Sequence, residues 1–145
     1  MLKNYRLGFD LWGLVLFLVT MIPTVVWLAI PAPNDVLRVE SATPVLDAIG
    51  FILQVLFVVI ICFFIRKDNG RRSIVAPIVC IALYFFGWVL YYFGLTNWYV
   101  ILLLTLPPCL AFIFYALGRC NVLALVPAVG FAVCHLIYAC VNFIF

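Results

Sequence analysis

The chain contains one histidine, His135, set deep in the apolar run AVGFAVCHLIYACV. A neutral imidazole donates a hydrogen bond from one nitrogen and accepts at the other, so it can link helices, relay a proton or hold a ligand. Ionisable groups inside apolar spans are functional candidates by default. Thr20, Gln54, Tyr84 and Thr105 fall at a similar depth in their own apolar runs. Helical spacing of three and four sorts the polar and small residues into stripes. Gly13, Phe17, Thr20, Thr24 and Trp27 make one, and Asp47, Gly50 and Gln54 a second. Cys80, Tyr84, Trp88 and Tyr91 make a third, and His135, Tyr138 and Asn142 a fourth. Stripes that must avoid lipid are expected to face one another.

Within the run LTLPPCLAF, Pro107 and Pro108 lack the amide donors that would meet the carbonyls of Leu103 and Leu104. An interior proline costs about 3 kcal/mol in a water-exposed helix. In lipid the freed carbonyls need partners inside the protein, so a helix kinked or broken at Pro107-Pro108 is expected to turn that side inward. The candidate ligand-binding residues are therefore Gln54, Tyr84, Trp88, Thr105, Pro107, Pro108, His135 and Tyr138. A plainer role stands beside each. Histidine and glutamine hydrogen-bond across helices for roughly 1 kcal/mol without serving any ligand, and aromatic residues gather at membrane interfaces. By that rule Tyr91, Tyr92, Trp98 and Tyr99 form the outer belt, whereas Trp88 lies deeper and is a candidate pocket wall.

Catalysis is not expected. The chain has no H-E-x-x-H, no G-x-S-x-G and no phosphate-cradling glycine loop, and Asp10 and Asp47 fall at opposite membrane faces. The six cysteines form no C-x-x-C pair and no zinc-type spacing with His135. They read as small buried hydrophobes, with no cofactor, metal or nucleic-acid partner implied.

These side chains must be positioned by membrane helices. The 145 residues are 70% hydrophobic and only 9% charged, whereas a soluble domain is about a quarter charged. The apolar material falls into five runs, at 9–30, 44–65, 73–94, 98–117 and 121–144, within one transmembrane domain, 1–145. Each is close to the ~20 residues that cross a hydrocarbon core. The first is too long for a signal core and ends in Pro31-Ala-Pro33, so it is expected to be retained. The predicted fold is all-α, a polytopic five-span bundle.

Punctuation supports the division. Thr43-Pro44 suits the start of the second helix, Asp68-Asn-Gly70 a tight turn, and Ser73 a cap for the third. Gly94 and Gly118 suit helix ends, with Thr96 or Asn97 and then Asn121 starting the helices that follow. Lys3, Arg6, Arg119 and the basic loop 66–72 share one side if the spans alternate, and Arg38 alone falls on the other. The positive-inside rule then predicts a cytoplasmic N terminus and an external C terminus in a bacterial cell membrane. Arg6 and Asp10 are spaced for an ion pair. The external loop 31–43 reads chiefly as a connector, although it is long enough to fold over a helix end.

Five spans in about 145 residues, rich in aromatics, resemble the tryptophan-rich sensory (translocator) proteins in size class. The resemblance covers span count and length, and implies no residue role. The expected function is binding or transport of a small or lipid-like ligand at mid-membrane depth. The alternative is a non-catalytic accessory subunit of a membrane complex. The expected partners are the bilayer itself and a small apolar ligand or another membrane protein. Nothing in the spacing sets an oligomeric state.

Overall fold

A computed structural model describes residues 2–67 and 74–144. Five helices carry the chain: α1 (Leu11–Ala29), α2 (Pro44–Phe63), α3 (Val75–Tyr92), α4 (Trp98–Gly118) and α5 (Val122–Ala139). A π-helical turn, Cys140–Ile144, extends α5. All five are long and apolar enough to cross a membrane, and the protein is an all-α, five-span bundle. The loop turn Asp68-Asn-Gly70 and the Ser73 cap lie outside the described residues.

Each helix starts and stops for reasons visible in its ends. Asp10 caps α1, its carboxylate accepting from the amides of Trp12 and Gly13. Asn121 does the same for α5 through the amide of Ala124. Thr43 and Asn97 hold the N-cap positions of α2 and α4, but neither makes a side-chain cap bond. Pro44 supplies the preset backbone angle at the start of α2 instead. Gly94, at φ +84, turns the chain out of α3 while its amide reaches the Tyr91 carbonyl. The equivalent turn after α4 falls not at Gly118, which is the last helical residue, but at Cys120, at φ 51.

Helix α4 is the central element, the most buried of the five. It packs against α3 on one side and α5 on the other; α5 in turn packs on α2. Helix α1 is fastened least, touching α2 along part of its length and α3 only slightly. The apolar core where α2, α4 and α5 meet contains Phe57, Phe112, Phe131 and the small residues Ala116, Ala124 and Ala128.

Helix α4 runs without a break through Pro107 and Pro108, both buried. Of the two expected outcomes, kinked or broken, the break does not form, and both prolines face inward as expected. One of the freed carbonyls has a visible neighbour. A side-chain carbon placed on Gly87 of α3 would lie 3.4 Å from the Leu103 oxygen and 2.9 Å from Leu103 Cβ. Only a glycine lets α3 approach so closely to the residue whose carbonyl lost its amide donor.

At the basic end of the bundle, residues Tyr5–Leu7 (β1) and Phe64–Arg66 (β2) pair as a short antiparallel ribbon, Arg6 opposite Ile65. The second apolar run is therefore helical only to Phe63 and finishes as strand. The ribbon ties the N terminus to the end of α2. At the opposite end, Asn142 accepts from the Ala42 amide and donates to Thr43 Oγ1. The two termini thus occupy opposite ends, as an odd number of alternating spans requires.

Candidate functional site

Part of each of the four polar stripes lines a common interior space, whereas Gly13, Phe17, Cys80, Tyr91 and Asn142 do not border it. A cavity in two lobes, about 260 Å³ and 210 Å³, runs between the helices. Thr24, Tyr84, Leu104, His135 and Tyr138 border both lobes and so form the seam between them. Gln54 and Pro108 line the first lobe. Trp88 and Thr105 line the second. Pro107, although buried, borders neither lobe.

His135 stands in a stack built from its own helix. Phe131 lies one turn before it, ring centres 5.1 Å apart at 18°, and Tyr138 nearly parallel on the other side at 6.4 Å and 9°. The spacings of four and three residues produce this column directly. Gln54 does not hydrogen-bond His135, and among the described residues neither side chain has a hydrogen-bond partner, although both border the first lobe. At the seam, Thr24 Oγ1 and the Tyr84 hydroxyl are 3.2 Å apart and join α1 to α3. Thr105 donates back to the Ile101 carbonyl at 2.7 Å, so its hydroxyl hydrogen is used within α4.

Trp88 is 6% exposed and packed among Trp27, Tyr84, Tyr91 and Tyr92, with ring centres 5.6 to 6.3 Å away. Among the described residues its indole N–H has no acceptor at hydrogen-bonding geometry, even though Tyr84 is close by. A buried donor left open costs about 1–3 kcal/mol.

The loop 31–43 is a folded lid rather than a plain connector. Its single turn, Val36–Arg38, sets Val36 and Leu37 against the cluster containing Trp88 and Tyr91, and Leu37 borders the second lobe. Asp35 anchors this lid. Its carboxylate accepts from Trp27 Nε1 at 2.8 Å, Tyr91 OH at 2.9 Å and Arg38 Nε at 2.7 Å. Partial burial alone would raise its pKa, but these three donors and the Arg38 charge outweigh burial and hold it below the ordinary value of 3.8. Arg38 also lies over the Trp27 ring at 5.0 Å and donates to the Trp27 carbonyl. Tyr91 is therefore a fully buried anchor of the lid and not a residue of the outer belt. Tyr92 likewise turns back, donating to the Ile30 carbonyl, while Trp98 and Tyr99 are exposed as expected.

At the basic end, Asp10 pairs with Arg119 of α4 at 2.9 Å rather than with Arg6. The Tyr115 hydroxyl also donates to both carboxylate oxygens. Burial alone would lower the Arg119 pKa; its bonds to Tyr115 and Asp10 reverse that and raise it. This cluster closes the end of the bundle away from the cavity. Asp10 and Asp47 do occupy opposite ends, as the sequence implied.

Sequence reasoning missed Asp47, Thr24, Phe131 and Leu37 as cavity residues. Asp47, Gly50 and Gln54 were visible as one stripe, and Thr24 belonged to another, so the signal for these was present. Leu37 had none, because a lid residue carries no helical periodicity. Among the described residues no three His, Cys, Asp or Glu side chains converge closely enough to hold a metal ion. Comparison of the chain with protein-family models, curated proteins and solved structures found no match. The functional reading therefore rests on the side chains alone.

Proposed function

We propose that this multi-pass membrane protein binds a small amphipathic molecule in the two-lobed cavity and serves its capture or passage within the membrane. The observation that carries the reading is the cavity reaching His135, with polar groups from several helices converging on it at one depth. Helices that only pack against a partner gain nothing from open space beside unbonded imidazole and amide groups, which cost free energy unless something occupies them. This favours a binding role over a purely accessory one. Irregular or donor-poor backbone at membrane depth also belongs where it lines protein interior or a cavity, and Pro108 lies on that wall.

The same proposal includes an orientation. The basic end, with Lys3, Arg66, Lys67 and Arg119, faces the cytoplasm, so the lid over the cavity faces outward.

Cys134 provides the test, because it borders the first lobe and is half-buried. In protein carrying Cys120→Ser and Cys140→Ser, methyl methanethiosulfonate should react with Cys134, and molecules that occupy the cavity should slow the reaction. A thiol that stays inert, or whose rate no small amphiphile alters, would remove the basis for a ligand site.

A further inference from the structure

The carboxylates of this protein are not equally provided for. Asp10 is held by Arg119, Tyr115 and two backbone amides, and Asp35 by Trp27, Tyr91 and Arg38. Glu40 is exposed on the lid. Asp47 differs from all three: it borders the first lobe, is partly buried, and among the described residues has neither hydrogen-bond nor ion-pair partner.

Among the described residues no lysine or arginine is free to pair with it. Arg38 is the one described cation at this end of the bundle, and its Nε and Nη2 are engaged by Asp35 and the Trp27 carbonyl. The position of Asp47 in the first turn of α2 gives partial compensation from the helix dipole. That compensation is not a counter-ion, and a partly desolvated charge favours acquiring one.

The rest of the lobe suits the same guest. Phe51, Phe112, Phe131 and Tyr138 line the same lobe as Asp47 with aromatic groups, and the faces of such rings attract cations. Gln54 and His135 border the same lobe, their side chains having no hydrogen-bond partner among the described residues. Among the described residues no lysine or arginine borders either lobe, so no such side chain there repels a positive charge or recruits an anion.

From this combination we infer that the first lobe selects an organic cation: a protonated amine whose charged head rests at Asp47 and whose apolar body lies along the aromatic wall towards Tyr84. The inference rests on the cavity being a binding site and adds the chemical class of what it binds. Its volume of about 260 Å³ suits a body about the size of one substituted aromatic ring.

Three probes of matched shape test the charge directly: 2-phenylethylamine, 2-phenylethanol and 3-phenylpropionate. Binding is measured by calorimetry to the full chain in phosphatidylcholine nanodiscs, with empty nanodiscs subtracted. The amine is expected to bind about tenfold more tightly than the alcohol, a difference of about 1.4 kcal/mol, and the carboxylate least of all. Asp47→Asn should bring the amine down to the level of the alcohol while leaving the alcohol unchanged, and Asp47→Glu should keep the preference. Circular dichroism of each variant confirms that it is folded. Equal binding of amine and alcohol to the wild type, or an amine preference surviving in folded Asp47→Asn, overturns the cation selectivity and leaves the cavity as a neutral site. Failure of all three probes to bind at millimolar concentration overturns both readings.

Discussion

Replacing glycines with alanine at three positions in two helix interfaces tests the packing with a gradient that the geometry sets in advance. At Gly50 the added carbon would meet Cys134 Cβ at 3.5 Å, an ordinary contact. At Gly130 it would meet the end of the Leu53 side chain at 3.1 Å, which can swing aside. At Gly87 it would sit 2.9 Å from Leu103 Cβ and 3.2 Å from the Leu103 carbonyl carbon, neither of which can retract without moving α4. Alanine gains about 1 kcal/mol of helix propensity over glycine at every site. Against that, forcing atoms into a filled interface costs about 1–3 kcal/mol. Gly50→Ala should therefore be stabilised by about 0.5–1 kcal/mol, and Gly130→Ala should be close to neutral. Gly87→Ala should lose about 1–2 kcal/mol once the propensity gain is subtracted from the clash. Adding Leu103→Gly should recover only part of this loss, because the backbone carbon remains in place. Equilibrium unfolding in bicelles, followed by far-ultraviolet circular dichroism, measures all four. A Gly87→Ala protein as stable as the wild type would mean that α3 and α4 do not approach at this point, and the account of the Leu103 carbonyl would fall with it.

Other perturbations address the two polar clusters, Trp88 and the orientation. Arg119→Gln should cost about 2 kcal/mol, below the usual value for breaking a buried pair because Arg119 keeps 29% of its side-chain exposure; the same unfolding assay reads it, and a neutral result would show the pair to be dispensable. The Asp35 carboxylate has a folded pKa below its unfolded value, so the stability it gives the lid should be complete above pH 3.8 and vanish as pH falls through the lowered value. Exchange of the Leu37 amide, which is bonded to Tyr91 OH, should thus accelerate only in strong acid in the wild type, and Asp35→Asn should abolish that dependence. Trp88→Phe removes the unbonded indole N–H along with some packing, so the two effects should offset and leave stability within about 1 kcal/mol of the wild type. A reporter fused after Phe145 should be external, and a cytoplasmic reporter would refute the assigned orientation.

The spans were legible because each apolar run is close to membrane thickness, and chain polarity followed from short loops. The cavity was legible in outline for a related reason. Thr20, Gln54, Tyr84 and His135 occupy comparable depths on stripes that cannot face lipid, so burying them together was the least costly arrangement. What the sequence hid was pairing over long separations. Asp10 had a plausible partner four residues away in Arg6, yet the geometry gives it to Arg119, which arrives only when α4 closes beside α1. Tyr91 fits an interfacial belt by type and position, and nothing local reveals that the lid will fold onto it. The ribbon at Tyr5–Leu7 involves three residues per strand, too few to leave an alternating pattern. Cys120 was hidden by a neighbour: Gly118 offers the usual left-handed residue, but the helix runs through it and the turn falls two positions later.

Helix α1 is fastened by charge at its two ends and only lightly between them. Asp10 is tied to Arg119 at the start, and Trp27 to Asp35 and Arg38 at the finish. Its 19 residues span about 28 Å at 1.5 Å per residue, close to the ~30 Å of an average hydrocarbon layer. Both fastenings therefore lie where hydrocarbon gives way to headgroups. A thicker bilayer draws apolar chains over them, and a thinner one exposes the apolar ends of the helix to water. In either case the mismatch loads the terminal ties before it loads the packed helices α2 to α5. Bilayer thickness thus acts first on the cavity-walling helix that packs most lightly on its neighbours.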